Sequence, residues 1–295
     1  MTVLETFTHE TIWGGKKLAT YASIKSEKIG HLYSLCCEKG LETLIANGPY
    51  KGQSFQNYFE DHKERFGLGK YREFPLILAL VEANDNLSIQ VHPDDRIAAE
   101  EEHAEYGKNE SWYFLEAPNS GVLYNGCLAS DNDTVKKKME EDNLISVVDT
   151  LPVSAGDYVY VEAGTLHALS AGSYLYEIEE NSPWTYSMYD YNRTDSQGNQ
   201  RELHIDKAMK ALKPNLKSKA VRLGNEPREE RRYVIQKFEH ISDYTNHSET
   251  LECLTIIKGD CVADGVSVSV GTTIVLEPEE RIAGNFELVM MARPK

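Results

Sequence analysis

The amino-acid sequence predicts a mainly β protein of the sandwich or barrel type, in two parts and with a few helices. Short runs of β-branched and aromatic residues recur between turn residues, and regular short strands are typical of sandwiches and barrels. Helical periodicity is rarer, which favours helices that decorate a β framework. The strand-like runs span residues 76–81, 87–91, 112–115, 158–161 and 174–178, and the helix-like segments span 54–66, 94–106, 133–148 and 203–212.

A polar stretch divides the predicted fold in two. After Leu212 the sequence KPNLKSKAVRLGNEPREERR is charged, contains proline and lacks periodicity, which is typical of a linker. Residues 1–225 are predicted to form a metal-binding catalytic domain with the helices, and residues 226–295 a C-terminal β domain. The second domain lacks metal-type residues and resembles a degraded copy of a barrel half. We therefore expect its role to be structural.

The composition excludes several classes of protein. Hydrophobic residues make up 41% and charged residues 26%, as in globular proteins with a packed core. The formal charge of -16 repels phosphate backbones and anionic membranes, so neither nucleic acid nor a membrane is an expected partner. No apolar run reaches the roughly 18 residues of a membrane span, and residues 1–13 lack a basic leader. The odd number of cysteines, five, fits reduced thiols, so we expect a cytoplasmic protein whose oligomeric state stays open.

Three segments carry a candidate metal site. Gln90 and His92 are two residues apart in a strand-like run, so their side chains point to one face. Lys108 and Glu110 form a second such pair at the start of another strand. His167 ends a Gly-x-x-His turn after a strand-like run, a pattern that resembles the second motif of cupin barrels. These segments predict that side chains with metal-binding chemistry converge in one barrel.

The donor set indicates one divalent metal ion. One amide oxygen, one carboxylate and two imidazoles form a mixed site that suits zinc, and also iron or manganese. Positions left for water or substrate would make it a catalytic site. A single histidine in a strand is more often structural, so the prediction depends on the joint pattern. The predicted ligands are Gln90, His92, Glu110 and His167.

The segments around these ligands carry a family resemblance. They read FPLILAL, LSIQVHPDD, GKNESWYFLEA, EAGTLHAL, YEIEENSPWTYSMYDYNR and RELHIDKAMKAL. As a set, over residues 13–212, they resemble type I mannose-6-phosphate isomerases of the short bacterial form. The resemblance implies a pair of cupin barrels, which are double-stranded β-helix or jelly-roll barrels, with a small helical part. It also implies one zinc ion per chain on the four predicted ligands, and interconversion of mannose 6-phosphate and fructose 6-phosphate.

The implied reaction moves a proton between adjacent carbons while a negative enediolate oxygen develops. A metal ion can stabilise that oxygen. Lys108, on the face of Glu110, is the first candidate for proton transfer, if burial and the cation lower its pKa toward neutrality. Glu177, in the strand before the tyrosine-rich segment, is the second candidate.

The sequence departs from the family at positions that usually hold a cation. Ala79 stands where the FPLL-x-K motif has lysine, and Ser187 stands where the family has an arginine that is thought to act in catalysis. Arg193 has the parity of Ser187 and is therefore a candidate catalytic substitute.

Three functions stay open at this point. The isomerase is favoured by the metal motif and Lys108. A non-catalytic or sensory cupin that binds a sugar or sugar phosphate is favoured by Ala79 and Ser187. A metal oxygenase or a different sugar isomerase is the third, because a fold alone does not fix function.

Overall fold

The structure, a computed structural model, describes residues 1–22, 25–194 and 197–295. Strands dominate it, as the sequence predicts. The helices are α1 (Lys17–Tyr21), α2 (Phe55–His62), α3 (Asp95–Glu102), α4 (Asn132–Glu140) and α5 (Ile205–Ala211), with a 3-10 turn at Leu144–Val147. The strands are β1 (Thr2–Val3), β2 (Phe7–Gly15), β3 (Ile29–Leu35), β4 (Leu76–Ala83), β5 (Ile89–Val91), β6 (Glu110–Glu116), β7 (Val122–Cys127), β8 (Val148–Pro152), β9 (Asp157–Val161), β10 (His167–Ala168), β11 (Ser173–Glu180), β12 (Tyr186–Tyr189), β13 (Ala220–Arg222), β14 (Arg228–Glu229), β15 (Tyr233–Thr245), β16 (Glu252–Lys258), β17 (Cys261–Ala263), β18 (Val266–Val268), β19 (Thr273–Leu276) and β20 (Arg281–Pro294).

Helices α2 to α5 lie at the four segments with helical periodicity, whereas α1 was not predicted. Local chemistry sets the bounds of α3. The side chain of Asp94 accepts a hydrogen bond from Ile97 N and caps the first turn, and His103 ends the helix in the left-handed conformation. Helix α1 has five residues and no side-chain cap, so it leaves little signal in the sequence.

Contacts divide the chain into two compact units. The first comprises Met1–His9, Lys16–Leu80 and Leu223–Lys295, and the second comprises Glu10–Gly15 and Val81–Arg222. The end of the second unit lies close to the predicted boundary at 225. Residues 16–80, however, belong to the same unit as the C-terminal strands. The division into domains 1–225 and 226–295 stays a prediction.

The first unit contains a six-stranded sheet in the order β1-β19-β16-β20-β15-β14. Its longest ladder pairs β15 with β20, antiparallel, from Tyr233 opposite Pro294 to Thr245 opposite Arg281. Alternate residues on the strands, such as Leu254 on β16 and Met291 on β20, enter one apolar cluster. The unit is thus built around the buried face of an antiparallel sheet.

The second unit holds every predicted metal ligand. One sheet runs in the order β12-β5-β10-β7-β8, and β13-β9-β6-β11 follow one another in a second sheet. Ile89 and Val91 of β5 lie in an apolar cluster with residues of α4 and α5. Because side chains alternate along a strand, Gln90 points away from that cluster. Burial of one face of β5 therefore directs the candidate ligands to the other. Within the described residues, no helix is long and apolar enough to cross a membrane.

The turn before His167 is tied to the strands that carry the other candidate ligands. Gly164 has a φ of +97°, a region that favours glycine. Gly164 N donates to His92 O at 2.9 Å. Next to it, Ala163 N donates to Asn109 Oδ1 at 2.9 Å. The turn thus fixes the place of His167 relative to β5 and β6.

We expect Gly164→Ala to lower the free energy of unfolding more than Gly121→Ala does. Both glycines have positive φ, so both substitutions carry backbone strain of about 1–3 kcal/mol. A Cβ at Gly164 would also lie 3.0 Å from Ala211 O and 2.7 Å from Lys213 Cδ, whereas nothing lies within 4 Å of one at Gly121. Denaturant unfolding measures the difference, and equal losses in the two variants would contradict this account of the turn.

Candidate metal centre

Two imidazole nitrogens meet one carboxylate in the interior of the second unit. His92 Nε2 lies 3.1 Å from Glu110 Oε2, and His167 Nε2 lies 3.2 Å from Glu110 Oε1. All three side chains are at most 3% exposed. Gln90 lies opposite His167 in the β5 to β10 ladder, and its Nε2 is 3.4 Å from His167 Nε2. The four predicted ligands therefore lie together, and the two histidines with Glu110 form a group that could hold a metal ion.

Backbone carbonyls orient both imidazole rings. His92 Nδ1 lies 3.1 Å from Trp184 O, and His167 Nδ1 lies 2.8 Å from Thr165 O. A carbonyl only accepts hydrogen bonds, so each Nδ1 carries the proton and each Nε2 presents a lone pair to the centre. This arrangement of a metal-binding histidine with a backbone acceptor behind it recurs in metal sites.

The centre is lined by hydrogen-bond acceptors. Both Nε2 atoms and both Glu110 oxygens can accept, and Glu110 Oε1 has no hydrogen bond that meets geometric criteria among the described residues. Burial lowers the pKa of His92 and outweighs the opposing effect of Glu110, so the ring stays neutral. These acceptor atoms suit a cation. A flip of the Gln90 amide, which exchanges its oxygen and nitrogen, would add an oxygen ligand.

A row of carboxylates lies beside this centre. In the ladder between β6 and β11, Glu179 is opposite Glu110 and Glu177 is opposite Trp112. One carboxylate oxygen from each of the three glutamates lies within 4.8 Å of the others. Trp112 Nε1 donates to Glu177 Oε1 at 2.8 Å. Burial, with added repulsion from Glu179 and Glu110, raises the pKa of Glu177 well above its usual range. This carboxyl group therefore retains a proton at a higher pH than an exposed one.

Lys108 lies in the same interior, and its side chain is protonated there. Its Nζ is 2.6 Å from Glu179 Oε2, and the two side chains are 8% and 13% exposed. Burial would lower the pKa of Lys108, but Glu179, followed by Glu110 and Glu177, outweighs it and raises the pKa. The buried ion pair therefore opposes the predicted fall of this pKa toward neutrality, and the sequence did not reveal that pair.

Comparisons with known proteins indicate the family of this chain. A family model described as the catalytic domain of type I phosphomannose isomerase matches residues 1–114. Over 211 residues the chain is 37% identical to the probable mannose-6-phosphate isomerase GmuF of Bacillus subtilis, covering 71% of this chain and 67% of that one. It is 35% identical over 211 residues to the mannose-6-phosphate isomerase of Streptococcus mutans, covering 71% and 66%. The crystal structure of the mannose 6-phosphate isomerase from Bacillus subtilis matches with a TM-score of 0.87 at 27% identity, covering 99% of this chain and 98% of that one.

The chain belongs to the type I mannose-6-phosphate isomerase family. The family predicted from the sequence is thereby confirmed, and so is the fold class, mainly β with cupin-type barrels and a few helices. The prediction of an isomerase is favoured over the sensory and oxygenase alternatives. The matched part spans about two thirds of each of these two relatives.

The structure gives Arg193 partners of its own. Its Nη1 donates to Asn86 O at 2.6 Å, its Nη2 pairs with Asp190, and its guanidinium lies 5.1 Å from the centre of the Tyr191 ring. None of its described contacts is with the metal centre. Its catalytic role in this family member stays a prediction, and the pair with Asp190 already balances its charge.

Sequence reasoning missed two residues near the centre. Glu179 has the same strand parity as Glu177, and that parity was the available signal. Arg201 donates from Nη1 to Ser88 Oγ at 3.0 Å. It comes from the irregular segment before α5, where no periodicity predicts the direction of a side chain.

We expect His92→Ala and His167→Ala to lose the bound divalent metal, because each removes a lone pair from a buried set of acceptors. The control is His247→Ala, whose side chain is 76% exposed. Elemental analysis after purification measures the metal per chain. Unchanged metal content in folded His92→Ala and His167→Ala proteins would contradict the assignment.

Proposed function

We propose that this chain interconverts mannose 6-phosphate and fructose 6-phosphate with one divalent metal ion held by Gln90, His92, Glu110 and His167. The observation that carries the proposal is the meeting of the Nε2 atoms of His92 and His167 with the Glu110 carboxylate, next to the buried pair of Lys108 and Glu179. Membership of the isomerase family supports the reaction and the sugar-phosphate substrate.

We propose zinc as the ion. Two imidazoles, one carboxylate and one amide oxygen form a donor set of intermediate hardness, which suits zinc and is also compatible with iron or manganese. When bound, the ion would supply positive charge to the oxygen that becomes negative in the enediolate. The chain's own residues then have to orient the sugar and move its protons.

Lys108 is proposed to donate hydrogen bonds to the sugar oxygens. Its ion pair with Glu179 keeps it charged, so it donates hydrogen bonds and stabilises negative charge that develops on oxygen. Glu179 lies at 2.6 Å and can accept a proton from it. In this role Lys108 is charged, whereas the sequence suggested a lysine whose pKa is lowered toward neutrality.

Glu177 is proposed to move the proton between the two carbons. An ordinary carboxylate is a weak base, but burial raises the pKa of Glu177 toward the range in which a group both takes up and returns a proton. Its bond from Trp112 Nε1 holds the carboxyl group in one orientation. Positioning and proton affinity thus point to the same side chain.

The cytoplasm is the proposed location. None of the five cysteines, which all lie in the described part of the chain, forms a disulfide, and this fits a reducing compartment. A sugar phosphate as substrate fits the same compartment.

We expect Lys108→Ala to lower kcat for mannose 6-phosphate by about a hundredfold to a thousandfold, the usual cost of removing one donor that stabilises a developing oxyanion. The metal content should stay at the parent level, and a chelator should abolish the activity of the parent. Lys137→Ala, at a side chain 73% exposed, is the control. A coupled assay for fructose 6-phosphate measures the rates, and parent-like kcat in Lys108→Ala would contradict the role of Lys108. Absence of turnover by the metal-loaded parent, together with tight binding of a sugar phosphate, would instead support a sensory cupin.

We expect Glu177→Gln to lower kcat by about a hundredfold or more, because the amide keeps an acceptor for Trp112 but cannot carry the proton. Thermal midpoint and metal content separate this effect from damage to the fold. Exchange of the substrate C2 proton with solvent gives a second readout, since it too should slow. Retention of at least a third of parent kcat would show that another group moves the proton.

A further inference from the structure

The segment that leads into α5 is fastened to β12 at Ser187. His204 N donates to Ser187 O at 2.8 Å, and Ser187 N donates to His204 Nδ1 at 3.4 Å. Ser187 is 3% exposed and lies opposite Gln90 in the ladder between β12 and β5. Arg201, three residues before His204, is therefore brought to the strand that borders the metal centre.

The guanidinium of Arg201 is linked to the row of polar side chains that contains Gln90. Its Nη1 donates to Ser88 Oγ at 3.0 Å. Ser88 Oγ in turn lies 3.2 Å from Ser187 Oγ and 3.4 Å from Gln90 Oε1. Ser88 thus connects Arg201 to Gln90, a candidate metal ligand.

This position is displaced from the metal ligands along the chain direction of β5. Residues two apart on an extended chain are separated by about 6.6 Å, so Ser88 is roughly one such step from Gln90. In a hexose 6-phosphate, the reacting carbons and the phosphate lie at opposite ends of the sugar. A phosphate near Ser88 would therefore leave the reacting carbons near the metal ligands.

The negative charge of the chain favours a cation at that end. The chain carries a formal charge of -16, and the carboxylates of Glu110, Glu177 and Glu179 crowd the other end of the site. Among the described residues, Arg201 pairs with the neutral Ser88 hydroxyl and with no carboxylate. Arg193, by contrast, is already paired with Asp190. The planar fork of Arg201 therefore retains donors that match a phosphate.

We propose that Arg201 binds the phosphate group of the sugar-phosphate substrate, with Ser88 holding its guanidinium in place. This inference rests on the proposed isomerase function, and it assigns Arg201 to substrate binding rather than to proton transfer. It also explains how a site with serine at position 187 can receive a phosphorylated sugar.

The test compares Arg201→Ala and Arg201→Lys with the parent and with Arg96→Ala. Arg96 is a suitable control because its guanidinium pairs with Glu100 on the surface of α3. Steady-state kinetics give kcat and KM for mannose 6-phosphate, and competition gives the inhibition constant of inorganic phosphate. Thermal midpoint and metal content report on folding.

Arg201→Ala should raise KM and the phosphate inhibition constant together by about ten- to a hundredfold, the size of a lost hydrogen bond to a charged group. Its kcat should stay within threefold of the parent, and Arg201→Lys should lie between the two because it keeps the charge without the fork. Unchanged KM and phosphate inhibition, or a fall in kcat alone, would overturn the proposal. If the parent does not turn over mannose 6-phosphate, calorimetric titration with the same sugar phosphate decides: binding lost in Arg201→Ala supports the inference although the isomerase function fails, and equal binding overturns it.

Discussion

The buried meeting of His92 Nε2, His167 Nε2 and the Glu110 carboxylate is the constraint on which the second unit depends. Carbonyl oxygens behind the rings fix both imidazole tautomers, so lone pairs face a carboxylate with no proton between them. Acceptors that face one another in a dry interior repel, and a cation between them removes that cost. The positive φ of Gly164 and the bond from its N–H to His92 O are the backbone means of bringing these groups together.

The same buried interior determines where Glu177 and Lys108 hold protons. Burial next to other carboxylates favours the protonated form of Glu177, while a close carboxylate favours the charged form of Lys108. The pKa values of these two groups are thus shifted in ways that suit different tasks. The shift of Glu177 suits exchange of a proton, and that of Lys108 suits permanent charge. Glu179 contributes to both shifts, because it repels the charged form of Glu177 and lies 2.6 Å from Lys108 Nζ.

Strand parity was enough to predict which metal ligands converge, because a side chain's face in a strand follows from its position alone. It was not enough to predict electrostatics. The pKa of Lys108 depends on whether Glu179 lies within hydrogen-bond distance, and that distance is set by the register between β6 and β11. Parity likewise placed Arg193 with Ser187, but after β12 the chain leaves the extended conformation. The guanidinium of Arg193 therefore pairs with Asp190. Arg201 instead contacts Ser88, from an irregular segment.

The replacement of a cation by Ser187 is compatible with this charge arrangement. A cation at position 187 on β12 would lie opposite Gln90, next to the ligand set. With serine there, the polar row of Ser88 and Ser187 stays neutral, and positive charge enters from the segment before α5 instead. That segment is joined to β12 by two hydrogen bonds to Ser187, which hold its cation beside the strands that carry the candidate metal ligands. In the proposed assignment, the strands carry the residues for metal and protons, and the segment before α5 carries the residue for the charged end of the substrate.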